Sequence, residues 1–250
     1  MIKTLCFFVL LAGMAGCSKS NNGYVNNPGS SYPYNKPVGY SARDLLSSAK
    51  YTSVKIEVMY MPGYAPDAAA LSHCEQFLSA AMNKNGGVTI ITRQIPTAGT
   101  GMLSVDQVAQ IERNNRQVFT QGTTLALSVI YTDGAFTDGS VLGAAYLNTS
   151  VVLFGKVIAD NSGAIGQASR TKLVATVLEH EMGHLLGLVD LGSPLQTPHK
   201  DATHGNHCTN SNCLMYYASD TNDILGFLIT GNIPLLDQAC KDDLLANGGR

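Results

Sequence analysis

The sequence predicts an α+β domain in which helices, one of them long, pack on a mixed sheet. Three observations carry this. Strand-like and helix-like segments alternate over the first half, strand-like segments then cluster, and from about Ser169 one long segment is apolar on more than one face.

The elements follow in order. A short helix is expected near Ser41 to Lys50, a strand over 53–60 (SVKIEVMY) and a helix from about Asp67 to Asn83. A second strand is expected over 88–93, and Ser104 with Gln107 forms a capping box opening a helix to about Asn114. The β-branched run 124–131 (TLALSVIY) reads as a strand; after a Gly-rich turn region, 141–147 and 151–158 are two more strand candidates. The long helix runs from about Ser169 to Leu186, with Ser169 as N-cap and Gly187 as a left-handed stop.

Ahead of the domain, the first 17 residues have the layout of an export signal: Lys3, a short apolar run, then small residues. That run is too short to span a bilayer. Met14-Ala15-Gly16-Cys17 resembles a bacterial lipobox, which implies a lipid on Cys17 and a membrane tie through that lipid alone. From Ser18 to about Tyr40 the chain is rich in Asn, Gly, Ser, Pro and Tyr and reads as a tether, leaving 41–250 as one domain. The 16 Lys and Arg against 18 Asp and Glu leave no basic surplus, which argues against nucleic acid as a partner. Beyond Cys17, Cys74, Cys208, Cys213 and Cys240 remain. In an oxidising compartment this even number favours disulfides, with Cys208–Cys213 and Cys74–Cys240 the preferred pairing of the three possible.

The long helix holds the chemistry. His180 and His184 stand four residues apart, so both imidazoles leave one face with the spacing of two ligands to one tetrahedral zinc. Glu181, beside them, is placed to accept a proton from a metal-activated water attacking a peptide carbonyl, and to return it to the leaving amine. Val174, Val177, Leu178 and Leu185 share the stripe that carries Glu181. Ionisable groups on so apolar a helix are costly unless they are paired or used.

The segment HEMGHLLGLVD resembles the first part of the metzincin signature, and CLMYY its Met-turn. The resemblance implies a metzincin-like mixed sheet with a backing helix and an active-site helix, then the Met-turn and a C-terminal helix. It also implies one catalytic zinc ion and Met215 as the hydrophobic base under it. The third ligand stays open. Asp190 occupies the signature position, as in the snapalysin type, while His207-Cys208, Cys213 and Met215 reproduce the spacing of the archaemetzincins. His204 and His199 are further candidates. Asp201 either orients a ligand histidine or caps a turn. Tyr217, two residues after Met215, matches the position of a tyrosine near the metal in astacin-like members, where its hydroxyl would face a developing oxyanion. By the same resemblance, 143–154 supplies an edge strand for an extended substrate.

These readings converge on a zinc metallopeptidase acting on peptide or protein substrates, exported as a periplasmic or cell-surface lipoprotein and expected to be a monomer. The rival is a non-catalytic zinc-binding or adhesion lipoprotein on a peptidase-like fold, in which Glu181 would have no task.

Overall fold

The computed structural model describes residues 30–99 and 101–250; the segment read as an export signal, Cys17 and the first part of the expected tether lie outside the described residues. Helix α1 (Ala42–Leu46) leads to strand β1 (Ser53–Tyr60), helix α2 (Ala68–Ala81) and strand β2 (Val88–Gln94). Asp67 caps α2 by accepting the Ala70 amide. After the short β3 (Met102–Leu103), the capping box of Ser104 and Gln107 starts α3 (Val105–Asn115) with both reciprocal bonds made. Then come β4 (Thr124–Thr132), the two-residue β5 (Ala135–Phe136), β6 (Gly143–Leu147) and β7 (Ser150–Phe154). Helices α4 (Gly155–Asp160), α5 (Arg170–Leu185), α6 (Leu225–Thr230) and α7 (Gln238–Ala246) complete the domain.

The main sheet has the order β2-β1-β4-β7-β6. Its first four strands are parallel, and β6 runs antiparallel to β7 at the edge. Strand β7 is buried throughout, as is β4 from Leu125 onward, so the middle of the sheet is covered on both faces. Helices α2 and α5 pack on each other, and α5 lies across β6 and β7. That packing sets the helix bearing His180 and His184 beside the free edge of the sheet. No helix among the described residues is long and apolar enough to cross a membrane.

Two expectations need correction. The strand read over 151–158 ends at Phe154, and Lys156, Val157 and Ile158 belong to α4. The reason is local: a Cβ on Gly155 would stand 2.7 Å from the Tyr131 ring, so the chain turns against β4 where only glycine fits. The tether read up to Tyr40 also ends earlier, because residues 30–40 are built into the domain. Tyr32 and Tyr34 are buried, with the Tyr32 hydroxyl donating to Ser41 Oγ and the Tyr34 hydroxyl accepting the Thr120 amide. Asn148 fastens the segment from the other side, donating from Nδ2 to the Pro33 carbonyl and to Ser41 Oγ.

Candidate metal centre

Nε2 of His180 and Nε2 of His184 face each other at 3.0 Å, one helical turn apart. Two nitrogens bound to one tetrahedral zinc at about 2.0–2.1 Å stand about 3.3 Å apart, so the spacing is that of a ligand pair. His207 enters from the loop after α5. One ring nitrogen from each of the three histidines lies within 4.8 Å of the others. The His207 ring stacks on His180, with centroids 5.2 Å apart.

Backbone carbonyls settle which nitrogen is free. His180 donates Nδ1–H to the Leu214 carbonyl at 2.8 Å, and His207 donates Nδ1–H to the His204 carbonyl at 2.7 Å. Each bond leaves a lone pair on Nε2, the tautomer a metal needs. His207 Nε2 is hidden from solvent without a protein partner. Burial holds the His180 imidazole below its ordinary pKa and His184 well below it, with the neighbouring histidines adding to the effect at His184. Buried, neutral imidazoles whose free nitrogens converge fit a divalent ion.

Glu181 lies 1% exposed beside this trio. Its Oε2 accepts the Ala145 amide of the edge strand at 2.6 Å, and its Oε1 has no partner. Burial raises its pKa well above the usual carboxylate range, and the nearby charge of Asp220 adds to the rise. Asp220, at the end of a 3-10 turn (Tyr217–Asp220), forms a second close group with His180 and Glu181. Sequence reading missed it: only its place five residues after Met215 hinted at a role.

Met215 is fully buried, and a Cβ on Gly183 would stand 2.3 Å from its sulfur. Glycine at 183 is what lets the methionine reach the helix between the two ligand positions. Gly187, at φ 79°, ends the helix as the sequence reading expects.

The other open candidates lie elsewhere. Asp190 is more than half exposed, with Oδ2 3.3 Å from Lys200 Nζ, and joins none of the close donor groups. Asp201 caps a turn, accepting the Thr203 and His204 amides. His204 lies in the same exposed loop with its side chain on Asp201. Tyr217 opens the 3-10 turn after the methionine.

The cysteines require a further correction, since Cys74, Cys208, Cys213 and Cys240 are all free. Cys74 is buried within α2. The other three converge with His199, whose Nδ1 is 3.4 Å from Cys208 Sγ and 3.9 Å from Cys240 Sγ. Cys213 Sγ is 3.6 Å from Cys240 Sγ, and the Asp237 carboxylate closes the group. His199 is oriented through Nε2 by Asp243 at 2.8 Å. Hydrogen bonds with Cys208 and then Cys240 hold the Cys213 thiol below its ordinary pKa, and the same contacts raise those two thiols. The donors that all lie within 4.8 Å of one another are His199, Cys208, Asp237 and Cys240, with Cys213 alongside through Cys240; two or three sulfurs with an imidazole fixed by a buried carboxylate suit a closed structural zinc site. A staple between Cys208 and Cys213 gives way to this arrangement because Cys240 and His199 arrive from distant parts of the chain.

Among solved structures, this chain is similar to archaemetzincin from Methanopyrus kandleri, with TM-score 0.52 and 16% identity over 78% of this chain and 96% of that one. The fold is archaemetzincin-like. A metalloproteinase-II from Bacteroides fragilis also aligns, with TM-score 0.44 and 14% identity over 91% of this chain and 60% of that one. No protein-family model and no curated protein matches the sequence. Within the archaemetzincin-like fold, α5, the edge strand β6 and the turn at Met215 enclose the three histidines and Glu181.

Proposed function

We propose that this chain is a zinc-dependent peptidase, exported as a lipoprotein anchored at Cys17, which works as a monomer on extracellular or periplasmic proteins. The observation that carries the reading is the convergence of three imidazole nitrogens with one buried, partner-free carboxylate oxygen, Glu181 Oε1. His180, His184 and His207 would hold the ion. A zinc ion bound there supplies Lewis-acid polarisation of a scissile carbonyl and lowers the pKa of water to about 7.

The remaining work belongs to the protein's own groups. Glu181, with a pKa raised by burial, is suited to take a proton on Oε1 and pass it to the departing amine. Its Oε2 stays tied to Ala145, which keeps the carboxylate aimed while the proton moves. Strand β6 offers the sheet edge to an extended peptide, so main-chain pairing can position a substrate with little regard to its sequence. Tyr217 is the donor proposed for the developing oxyanion. His199, Cys208 and Cys240, with Cys213 or Asp237 as the fourth donor, would hold a second, structural zinc that ties the loop before the Met-turn to α7.

The test is cleavage of a casein-type substrate alongside metal analysis of the purified protein. Glu181→Gln is expected to keep its zinc and lose turnover by roughly 10²–10⁴-fold. Unchanged cleavage by that variant would exclude the proposed chemistry, and a purely zinc-holding role would leave wild type inactive on every peptide offered.

A further inference from the structure

The loop carrying His207 contains a second histidine with no place among the proposed ligands, yet three separate ties hold it. His204 Nδ1 is 2.7 Å from Asp201 Oδ2, and its carbonyl accepts Nδ1–H of His207. Its ring lies flat on Tyr217, with centroids 3.8 Å apart and planes 9° from parallel. Neither ring is buried, so general core packing does not fix their arrangement. Asp201 fixes the imidazole edge while its other oxygen caps the Thr203 and His204 amides, so the plane on which Tyr217 rests is set by its own loop.

We propose that His204 is a positioning residue that couples the third imidazole donor to Tyr217. Its backbone orients His207, and its ring fixes where the Tyr217 hydroxyl stands. The placement matters because Tyr217 opens the short turn whose last residue, Asp220, reaches His180 and Glu181. A half-exposed tyrosine has two single bonds about which to swing, and the tilted Tyr216 ring, with centroids 4.6 Å apart, is one restraint on it. The closer, parallel imidazole face adds the second restraint before substrate arrives, which is how a donor becomes preorganised for charge that appears only in the transition state. The side chain also explains the residue type: a phenyl ring would stack but could not be pinned by Asp201, and a lysine could reach Asp201 but offers no face.

This inference rests on the peptidase reading, in which Tyr217 acts on the substrate, so its test uses one readout that needs no catalysis. With tyrosine ring carbons labelled, the Tyr217 signal, identified by its loss in Tyr217→Phe, is expected to carry a ring-current shift in zinc-free and zinc-loaded protein alike. The Tyr216 ring contributes its own part, so the shift should fall sharply in His204→Ala without vanishing and should persist in His204→Phe. In kinetics, His204→Ala is expected to lower kcat about three- to ten-fold, the scale of one aromatic pair, with KM little changed and zinc content intact. His204→Phe, which stacks but lacks the Asp201 bond, should restore part of the loss. In a Tyr217→Phe background, His204→Ala should cost nothing further, as residues acting through one another are non-additive. A Tyr217 signal indifferent to His204→Ala, or the same kinetic loss in both backgrounds, would overturn the proposal. If wild type cleaves nothing, the peptidase reading fails by itself, and the spectrum still decides whether His204 holds Tyr217.

Discussion

His207 donates its Nδ1–H to the carbonyl of His204, three residues earlier in the same loop, and thereby presents Nε2 to the imidazoles of His180 and His184. Asp190 spends its carboxylate on Lys200 at the surface. The two residues therefore separate cleanly in a metal-binding assay. His207→Ala is expected to weaken zinc binding at this centre by orders of magnitude, since it removes one of three donors, whereas Asp190→Ala should bind as wild type does. Zinc lost from Asp190→Ala and retained by His207→Ala would reverse the assignment.

Metal uptake should also carry a pH signature. A proton competes with zinc for each imidazole, and it begins to do so near the imidazole's own pKa. His180 titrates below the ordinary 6.5, with burial as the main cause, and His184 well below it. At pH 6.5 the neutral form therefore predominates at His180 and more strongly at His184, and zinc displaces less proton from either than from an ordinary imidazole. Zinc affinity of the centre is expected to gain little from these two on raising pH above 6.5, and to fall on their account only at distinctly lower pH. Isothermal titration in buffers of different ionisation heat measures the proton count. Release of about 2.3 protons per ion near pH 6, as three ordinary histidines of pKa about 6.5 would give, is the result that sinks this account.

Much of this centre was legible in the sequence because its signals are local. The four-residue spacing of His180 and His184, the intervening Glu181 and the stop at Gly187 all lie within three turns of helix, where period and chemistry can be read together. What escaped depends on loops and on long-range closure. Choosing between Asp190 and His207 needs the path of a 17-residue connection, and Val189 and Asp190 adopt left-handed backbone that no local pattern announces. His199 and Cys240 meet across 41 residues, so a count of cysteines suggested pairs where the fold brings a cluster. Tyr32 and Tyr34 were hidden in a polar stretch whose average composition looks like a tether, although each ring brings area to bury and a hydroxyl that finds a partner.

Gly183 gives a test of the packing under the ligands. It has no room for a side chain, because Met215 Sδ occupies the space and is itself fully buried. Gly183→Ala is expected to destabilise the fold by about 1–3 kcal/mol through overpacking, despite the better helix propensity of alanine. Shortening the methionine should relieve the clash, so the double variant Gly183→Ala, Met215→Ala should lose less stability than the two single losses added together. Thermal unfolding of the four proteins reads this directly. Strict additivity would mean that the two side chains do not share the space.

The cysteine cluster makes the most distant claim, because it concerns stability and not chemistry at the three histidines. Loop 199–213 and α7 are joined through His199, Cys208, Cys213 and Cys240, with Asp237 capping α7 from inside the group by accepting the Cys240 amide. If these donors hold zinc, purified protein contains two ions per chain, and Cys240→Ser or His199→Ala contains one. The single-ion variants should melt well below wild type, since binding energy at a structural site is folding energy. His180 and His184 lie outside the cluster, so folded Cys240→Ser protein should still fill the first centre. Thiol-reactive reagent should label Cys208, Cys213 and Cys240 slowly in wild type and quickly after chelation, when the thiolates lose their ion. One zinc per wild-type chain, together with an intact mass showing the two hydrogens lost to a disulfide, would return these cysteines to the covalent pairing expected from their number alone.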